Sequence, residues 1–281
     1  MWRSILRKLS YDEVIEGNVE LHRKEAKFYD CIHDEIWNKY EQKRLLNTIK
    51  FAVSQISENN FKAVDFGAGT GNVTEKLLDL GFEVVAIDIS KEMCEVLKAK
   101  NRRALREGKL QVLNLNIDEK QVLGCFDLVA CYSVLHHLPD YIGTMEELLH
   151  LVKEGGVFYV DHESALKVKP KYPYNILARA VMFFYHFTNR LLNALYLYGI
   201  GTGPKLDYTK ADIHKALNYR RIQQTLRKEG FKIINLAFYY TQETWFNTPL
   251  NFLHKAIVRT NKTMIIAKKM RGPKPNCSRE R

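Results

Sequence analysis

Acidic residues are scarce in the second half of this 281-residue chain. Residues 165–281 hold five Asp and Glu against 22 Lys and Arg, whereas residues 1–164 hold 27 against 21. The second half is therefore set towards something anionic, be it a lipid headgroup surface, an acidic substrate or nucleic acid, or else it is merely a solvated basic face. Cysteine is thin as well. Cys31, Cys94, Cys125, Cys131 and Cys277 are odd in number, scattered, and form no CxxC pair. Free thiols in a reducing, cytoplasmic compartment follow, and nothing around any of them suggests an activated nucleophile. Long apolar runs are missing too. The greasiest stretch, within 165–207, is broken by Arg179 and Arg190 and does not read as transmembrane. The opening MWRSILRKLS has no long apolar core, so it does not read as a secretory signal. It reads as a first helix packed on its own domain, or as a short amphipathic foot on a membrane. There is no internal repeat.

What is present suits a globular α/β chain. It is 46% hydrophobic and 27% charged, a length and composition for one large domain with an insertion or two modest domains. Residues 11–60 read as helical, with Leu45, Ile49, Ala52, Val53 and Ile56 at 3.6-residue spacing. The aromatic and acidic segment KFYDCIHDEIWNKYEQKR just before them is placed to cap the strand that follows. From Ala63 strands and helices alternate. Strands are predicted at 63–66, 82–87, 110–115, 126–130 and 157–160, and helices at 73–80, from Ser90, and from a capping box Thr144-Met-Glu-Glu147. Gly81 stops the first of these helices, and Gly155-Gly156 turns into the fifth strand. Such alternation predicts a parallel, doubly wound sheet. After Glu163 the rhythm breaks into an aromatic-rich helical insertion. A helix at 219–228 follows, then two strands at 231–240 and 263–267 that close the sheet in antiparallel fashion, and a basic tail predicted to be disordered.

The chemistry gathers at AVDFGAGTGNVT, residues 63–74. A strand breaks into Gly67, Gly69 and Gly71 and resumes as a helix. This turn lets a ligand approach bare backbone over a helix N-terminus. Asp88 ends the second strand 21 residues after Gly67, where an acid accepts the hydroxyls of a ribose. A dinucleotide fingerprint needs glycine at position 72, but Asn72 stands there, so pyrophosphate is disfavoured. An adenosine with a zwitterionic tail fits better.

With VDFGAGTG, VVAIDIS, FDLVACYSVLHHLPD and LLHLVKEGGVFYV in order over residues 61–162, the chain resembles a class I S-adenosylmethionine-dependent methyltransferase. The likeness is to the small-molecule kind that includes the ubiquinone and menaquinone methyltransferases. It implies a Rossmann-like seven-stranded fold, mostly parallel with an antiparallel closing strand, an N-terminal helical cap and a helical insertion after strand five. The corresponding division is a cap at 1–60, a cofactor-binding core at 61–164, a substrate lid at 165–218, closing elements at 219–270 and a tail at 271–281.

By that resemblance Asp65, Gly67, Ala68, Gly69 and Gly71 would hold the methionine part of S-adenosylmethionine. Asp88 would take the ribose, and Ile89 and Ile117 would flank the adenine. Asn116 stands where the family has an aspartate for the adenine amino group, and its side-chain oxygen still accepts. Tyr29 and His33 are candidate lid residues. Methyl transfer needs alignment in a dry site, and a base only when the acceptor's proton is hard to lose. His136 and His137 after strand four, and His162 and Glu163 after strand five, are the candidates for that role or for substrate contact. No metal-ligand spacing is recognisable. The acceptor suggested by the insertion is a small, hydrophobic, lipid-like molecule, with the basic half touching an anionic membrane peripherally. A nucleic-acid methyltransferase is the rival, although the usual Asn/Asp-Pro-Pro-Tyr is replaced here by CYSVLHHLPD. A non-catalytic module that only binds the cofactor is the third reading.

Overall fold

The computed structural model describes residues 10–57, 61–115, 124–164, 217–239 and 262–270. The opening residues 1–9, the insertion at 165–207, Asn116, Ile117 and the basic tail lie outside the described residues. Four helices come first: α1 (Tyr11–Glu25), α2 (Tyr29–Ile32), α3 (Asp34–Trp37) and α4 (Lys39–Ser54). Ser10 and Glu13 close a reciprocal capping box that starts α1, a signal the sequence reading overlooked. Asn38 caps α4 by accepting from the amides of Tyr40 and Glu41. Along α4 the spaced apolar residues do what their period predicts, and Leu45, Ile49 and Ala52 are fully buried.

The core alternates as expected: β1 (Lys62–Phe66), α5 (Asn72–Asp79), β2 (Glu83–Asp88), α6 (Lys91–Lys100), α7 (Arg102–Arg106), β3 (Leu110–Asn114), β4 (Phe126–Tyr132), α8 (Tyr141–His150) and β5 (Val152–Ser164). It closes with α9 (Tyr219–Lys228), β6 (Phe231–Tyr239) and β7 (Lys262–Lys269). The seven strands form one sheet in the order β3-β2-β1-β4-β5-β7-β6. All neighbours are parallel except β7, which runs antiparallel to both β5 and β6. The last strand among the described residues is thus wedged between two others. Apolar layers fill both faces of the sheet, one carrying Val129, Met145 and Phe158 and the other Leu45, Leu77, Leu128 and Tyr159. No helix among the described residues is long and apolar enough to cross a membrane.

Two boundaries differ from the sequence reading. Helix α8 starts at Tyr141, because Asp140 accepts from the amide of Gly143 and caps it; Thr144 lies inside the helix and is buried. Strand β5 starts at Val152, not at Val157, and Gly155-Gly156 is an irregularity within it. Its register against β4 jumps from Phe126–Val152 to Leu128–Val157, with Gly155 at φ +78° absorbing the extra residues. A second irregularity in β5, between Val160 and Glu163 against β7, shapes the site.

Candidate active site

Gly67, Gly69 and Gly71 adopt φ values of +69°, +53° and +101°, a left-handed run that only glycine takes without strain. The amides of Gly67 and Ala68 donate to the carbonyl of Ile87, at 2.8 and 2.9 Å, and so the turn folds back over the tip of β2. Asp88 ends that strand. Its carboxylate accepts from Gly69 N and from Ser90 N, both at 2.8 Å, which fixes it between the glycine turn and the start of α6. Each of its oxygens keeps a second lone pair. Burial pushes its pKa up, with the His22 charge and the two amides opposing. Beneath the turn, Asp65 is buried and accepts from Thr74 Oγ1 at 2.6 Å; burial raises it to about 6.

A cleft opens over this turn. Its floor is Phe66, Gly67, Gly69, Asp88 and Ile89, its far wall Val134, His137 and Leu138, and its roof Ile15, Asn18 and His22 of α1 with Tyr29 of α2. A smaller cavity lies beside it, lined by Glu35, Asp65, Ala68, Thr70, Asn72 and Val73. Tyr29, Gly67, Gly69, Tyr132 and Ser133 line both. The N-terminal cap is fastened over the turn by Thr70 Oγ1 donating to Asp30, and by Lys100 Nζ donating to Asp30 at 2.9 Å. His33 stacks on Tyr29, ring centroids 4.0 Å apart, and pairs with Glu35 at 3.2 Å and Glu25 at 4.0 Å. Burial pulls His33 down, but the two carboxylates outweigh it and hold the imidazolium to about 9.

The four candidates at the strand tips separate by environment. Glu163 is fully buried; one oxygen accepts from Val134 N and Leu135 N, the other from His136 N, and His136 Nδ1 sits 2.8 Å away. Burial acts to raise this carboxyl, yet His136 and the amides bring it below its ordinary value. Glu163 and His136 together therefore anchor the single 3₁₀ turn Leu135–His137. His137 lines the larger cleft, its ring edge-on to His22 at 5.8 Å. His162 occupies the β5 irregularity at φ +60°, and Ser133 opposite it has the same value. Such strain in non-glycine residues gathers at functional sites. The His162 ring lies parallel to Tyr132, 5.0 Å away, and is buried. Burial, Lys262 and Arg44 hold it neutral.

Sequence reasoning missed Tyr132, Glu35 and Asn18. The Tyr132 hydroxyl is buried with no hydrogen-bond partner among the described residues, as is Asn18 Oδ1. Asn18 Nδ2 donates to the carbonyls of Val14 and His137, which turns its oxygen the other way. Only the position of Tyr132 at the tip of strand four gave any advance signal of this.

A mostly parallel seven-stranded sheet with β7 reversed, a glycine turn after β1 and an acid at the tip of β2 make the chain similar in fold to the class I S-adenosylmethionine-dependent methyltransferases. Residues 64–158 match the family model described as a methyltransferase domain. Ubiquinone biosynthesis O-methyltransferases are similar over part of the chain. The one from Colwellia psychrerythraea is 33% identical over 109 residues, 37% of this chain and 43% of that protein. The one from Xanthomonas campestris is 25% identical over 117 residues, 41% and 49% respectively. The chain thus spans about half the length of these curated relatives. Among solved structures, a Haloferax volcanii putative methyltransferase complexed with the Trm112 activator is similar in fold at TM-score 0.57 and 14% identity, covering 89% of this chain and 98% of that one. Magnesium protoporphyrin IX methyltransferase from Synechocystis with bound S-adenosylmethionine gives 0.53 at 15%, covering 93% and 98%.

Proposed function

We propose that this protein transfers a methyl group from S-adenosylmethionine to a small-molecule acceptor. The observation that carries the donor is the cleft itself, in which bare glycine backbone, the fixed Asp88 carboxylate and an apolar slot between Ile89 and Val134 share one space. When bound, the donor supplies an electrophilic methyl on a sulfonium. The residues of this chain then have modest tasks. Gly67 and Gly69 let the ligand lie against backbone, Asp88 accepts from ribose hydroxyls, and Ile89 and Val134 exclude water from an aromatic ring. Gly71 sets the turn into α5, and Ala68 and Asp65 support the floor.

For the acceptor, the reading rests on the strand tips of β4 and β5. His162, neutral and parallel to Tyr132, presents an imidazole in the form that accepts a hydrogen bond. A group held so firmly neutral orients an acceptor hydroxyl rather than storing its proton. His137 faces the donor cleft, and His136 and Glu163 serve by holding the wall. The named function of the relatives, and the aromatic insertion outside the described residues, favour a hydrophobic, lipid-like acceptor. The deciding experiment supplies methyl-labelled S-adenosylmethionine and the protein to cell extracts, then separates lipid, small-molecule, RNA and protein fractions. Label is expected in the lipid or small-molecule fraction. Label confined to RNA or protein would sink the acceptor reading while leaving the donor intact.

A further inference from the structure

Helix α4 turns one side to the core and the other to solvent, and the solvent side has a composition of its own. At roughly 3.6 residues per turn, Lys39, Lys43 and Lys50 fall within an arc of about 40°. Tyr40 and Phe51 fall within a second arc of about 20° beside it, with only Asn47 and Ser54 between the two rows. All seven side chains are exposed. Tyr40 is 59% exposed and Phe51 42%, and Trp37, which ends α3 just ahead, is 41% exposed. The helix's single acid, Glu41, is turned inward and buried, accepting from Arg44 Nε at 2.9 Å. Among the described residues no acid pairs with Lys39, Lys43 or Lys50. The face is thus a basic island in a half of the chain where acids outnumber Lys and Arg, 27 to 21.

A helix face that serves only to be solvated has no use for a row of aromatic rings. Aromatics settle at the boundary between headgroups and acyl chains, and lysines beside them are drawn to anionic headgroups. Single-stranded nucleic acid is held instead in basic grooves and gripped by the planar fork of arginine. This face is convex, and its cations are all lysine. Its shape and charge suit a broad anionic surface.

We propose that the outer face of α4, with Trp37 at its head, docks on an anionic lipid surface. The other side of the same helix belongs to the site. Arg44 donates to Asp161 at the tip of β5, at 2.9 Å, and Gln42 donates to Asn72 beside the glycine turn, at 3.1 Å. Docking therefore leaves about one helix diameter, ~10 Å, between the tip of β5 and the lipid. This partner is additional to the methyl-transfer reading and does not rest on it.

Co-sedimentation of the full chain with vesicles tests the proposal without donor or acceptor present. The native chain should bind phosphatidylcholine–phosphatidylglycerol vesicles and be released by salt, and should leave pure phosphatidylcholine vesicles largely unbound. Each lysine near such a surface contributes about fivefold in partitioning. The triple variant Lys39→Gln, Lys43→Gln, Lys50→Gln is therefore expected to lose at least tenfold. The pair Tyr40→Ser and Phe51→Ser should weaken the binding that survives at high salt. A control, Arg220→Gln with Arg221→Gln and Arg227→Gln, removes as many exposed charges from α9 and should lose less than threefold. Circular dichroism melting reports the fold. If the triple variant melts early, Lys43→Gln with Lys50→Gln replaces it and should still lose at least fivefold. Equal losses from the α4 and α9 variants would reduce the effect to overall positive charge and overturn the assignment. A native chain that ignores anionic vesicles, whether or not it shifts RNA in a gel, overturns it as well.

Discussion

A β-carbon placed on Gly67 would lie 2.3 Å from Val134 Cγ2, whereas one on Gly69 would meet only Tyr29 Cε1, at 4.0 Å. Both positions need left-handed backbone, which costs alanine roughly 1–2 kcal/mol. Gly67→Ala adds overpacking against a wall that cannot retreat, because Glu163 holds the Val134 amide at 2.8 Å. Urea denaturation should therefore show Gly67→Ala to be less stable than Gly69→Ala by about 1–3 kcal/mol. Equal losses would mean the wall yields. Glu163 itself can be weighed in the same way. Glu163→Gln leaves one oxygen for donors that now share two, and should cost about 2 kcal/mol of stability. Its folded-state pKa is depressed, so the native contribution is present above the ordinary carboxylate range and fades as pH falls. The stability gap between the native chain and Glu163→Gln should accordingly narrow in acid.

At the scale of elements, the short helices α2 and α3 lie over the ligand cleft and depend on the His33 clasp. His33 faces Glu25 of α1, Glu35 of α3 and the ring of Tyr29. Its pKa rises from 6.5 to about 9, so its contribution is complete below 6.5 and lost as pH climbs through 9. Glu35 is lowered from 4.5 to about 2, so its contribution is complete above 4.5 and lost as pH falls through 2. The clasp is strongest where the two windows overlap. Melting temperatures followed by circular dichroism should decline from near-neutral to alkaline pH in the native chain. His33→Gln should flatten that slope, removing on the order of 1 kcal/mol after solvent screening. A slope unchanged in the variant would assign the decline to other groups.

Across the whole molecule, one buried carboxylate ties the first helices to the last strands. Asp161 of β5 accepts from Arg44 of α4 at 2.9 Å, from Tyr159 and Tyr239 hydroxyls at 2.5 Å each, and from its neighbour's amide at 2.7 Å. The Arg44 guanidinium also lies over the Tyr239 ring, 4.0 Å from its centre. Removing one member strands a fully buried charge. Arg44→Met should cost about 3 kcal/mol, and Asp161→Asn in the same chain should recover a good part of it. Additive losses in that double-mutant cycle would show α4 and β5 to be independent at this contact.

The sequence by itself determined the donor end. Strand, glycine turn, helix and Asp88 lie within 26 residues, from Ala63 to Asp88, and their geometry follows from local conformational rules that a linear reading can apply. The period along α4 and the Ser90 cap were legible for the same reason, as was the alternation that makes the sheet parallel. Where local signals competed, the reading slipped. Asp140 won the helix start from Thr144, and pairing with β4 and β7 stretched β5 beyond its apolar run. The roles of Glu163, Tyr132, Glu35 and Asn72 were decided only by the tertiary structure. Glu163 meets its amides across 27–29 residues, and Glu35 reaches the glycine turn only because the cap docks on the sheet. Whether a polar atom is used or left free depends on partners brought together from distant segments. Asn72 seemed merely an absent glycine in the sequence; in the fold, Lys76 and Gln42 claim its oxygen, and its buried nitrogen has no partner among the described residues.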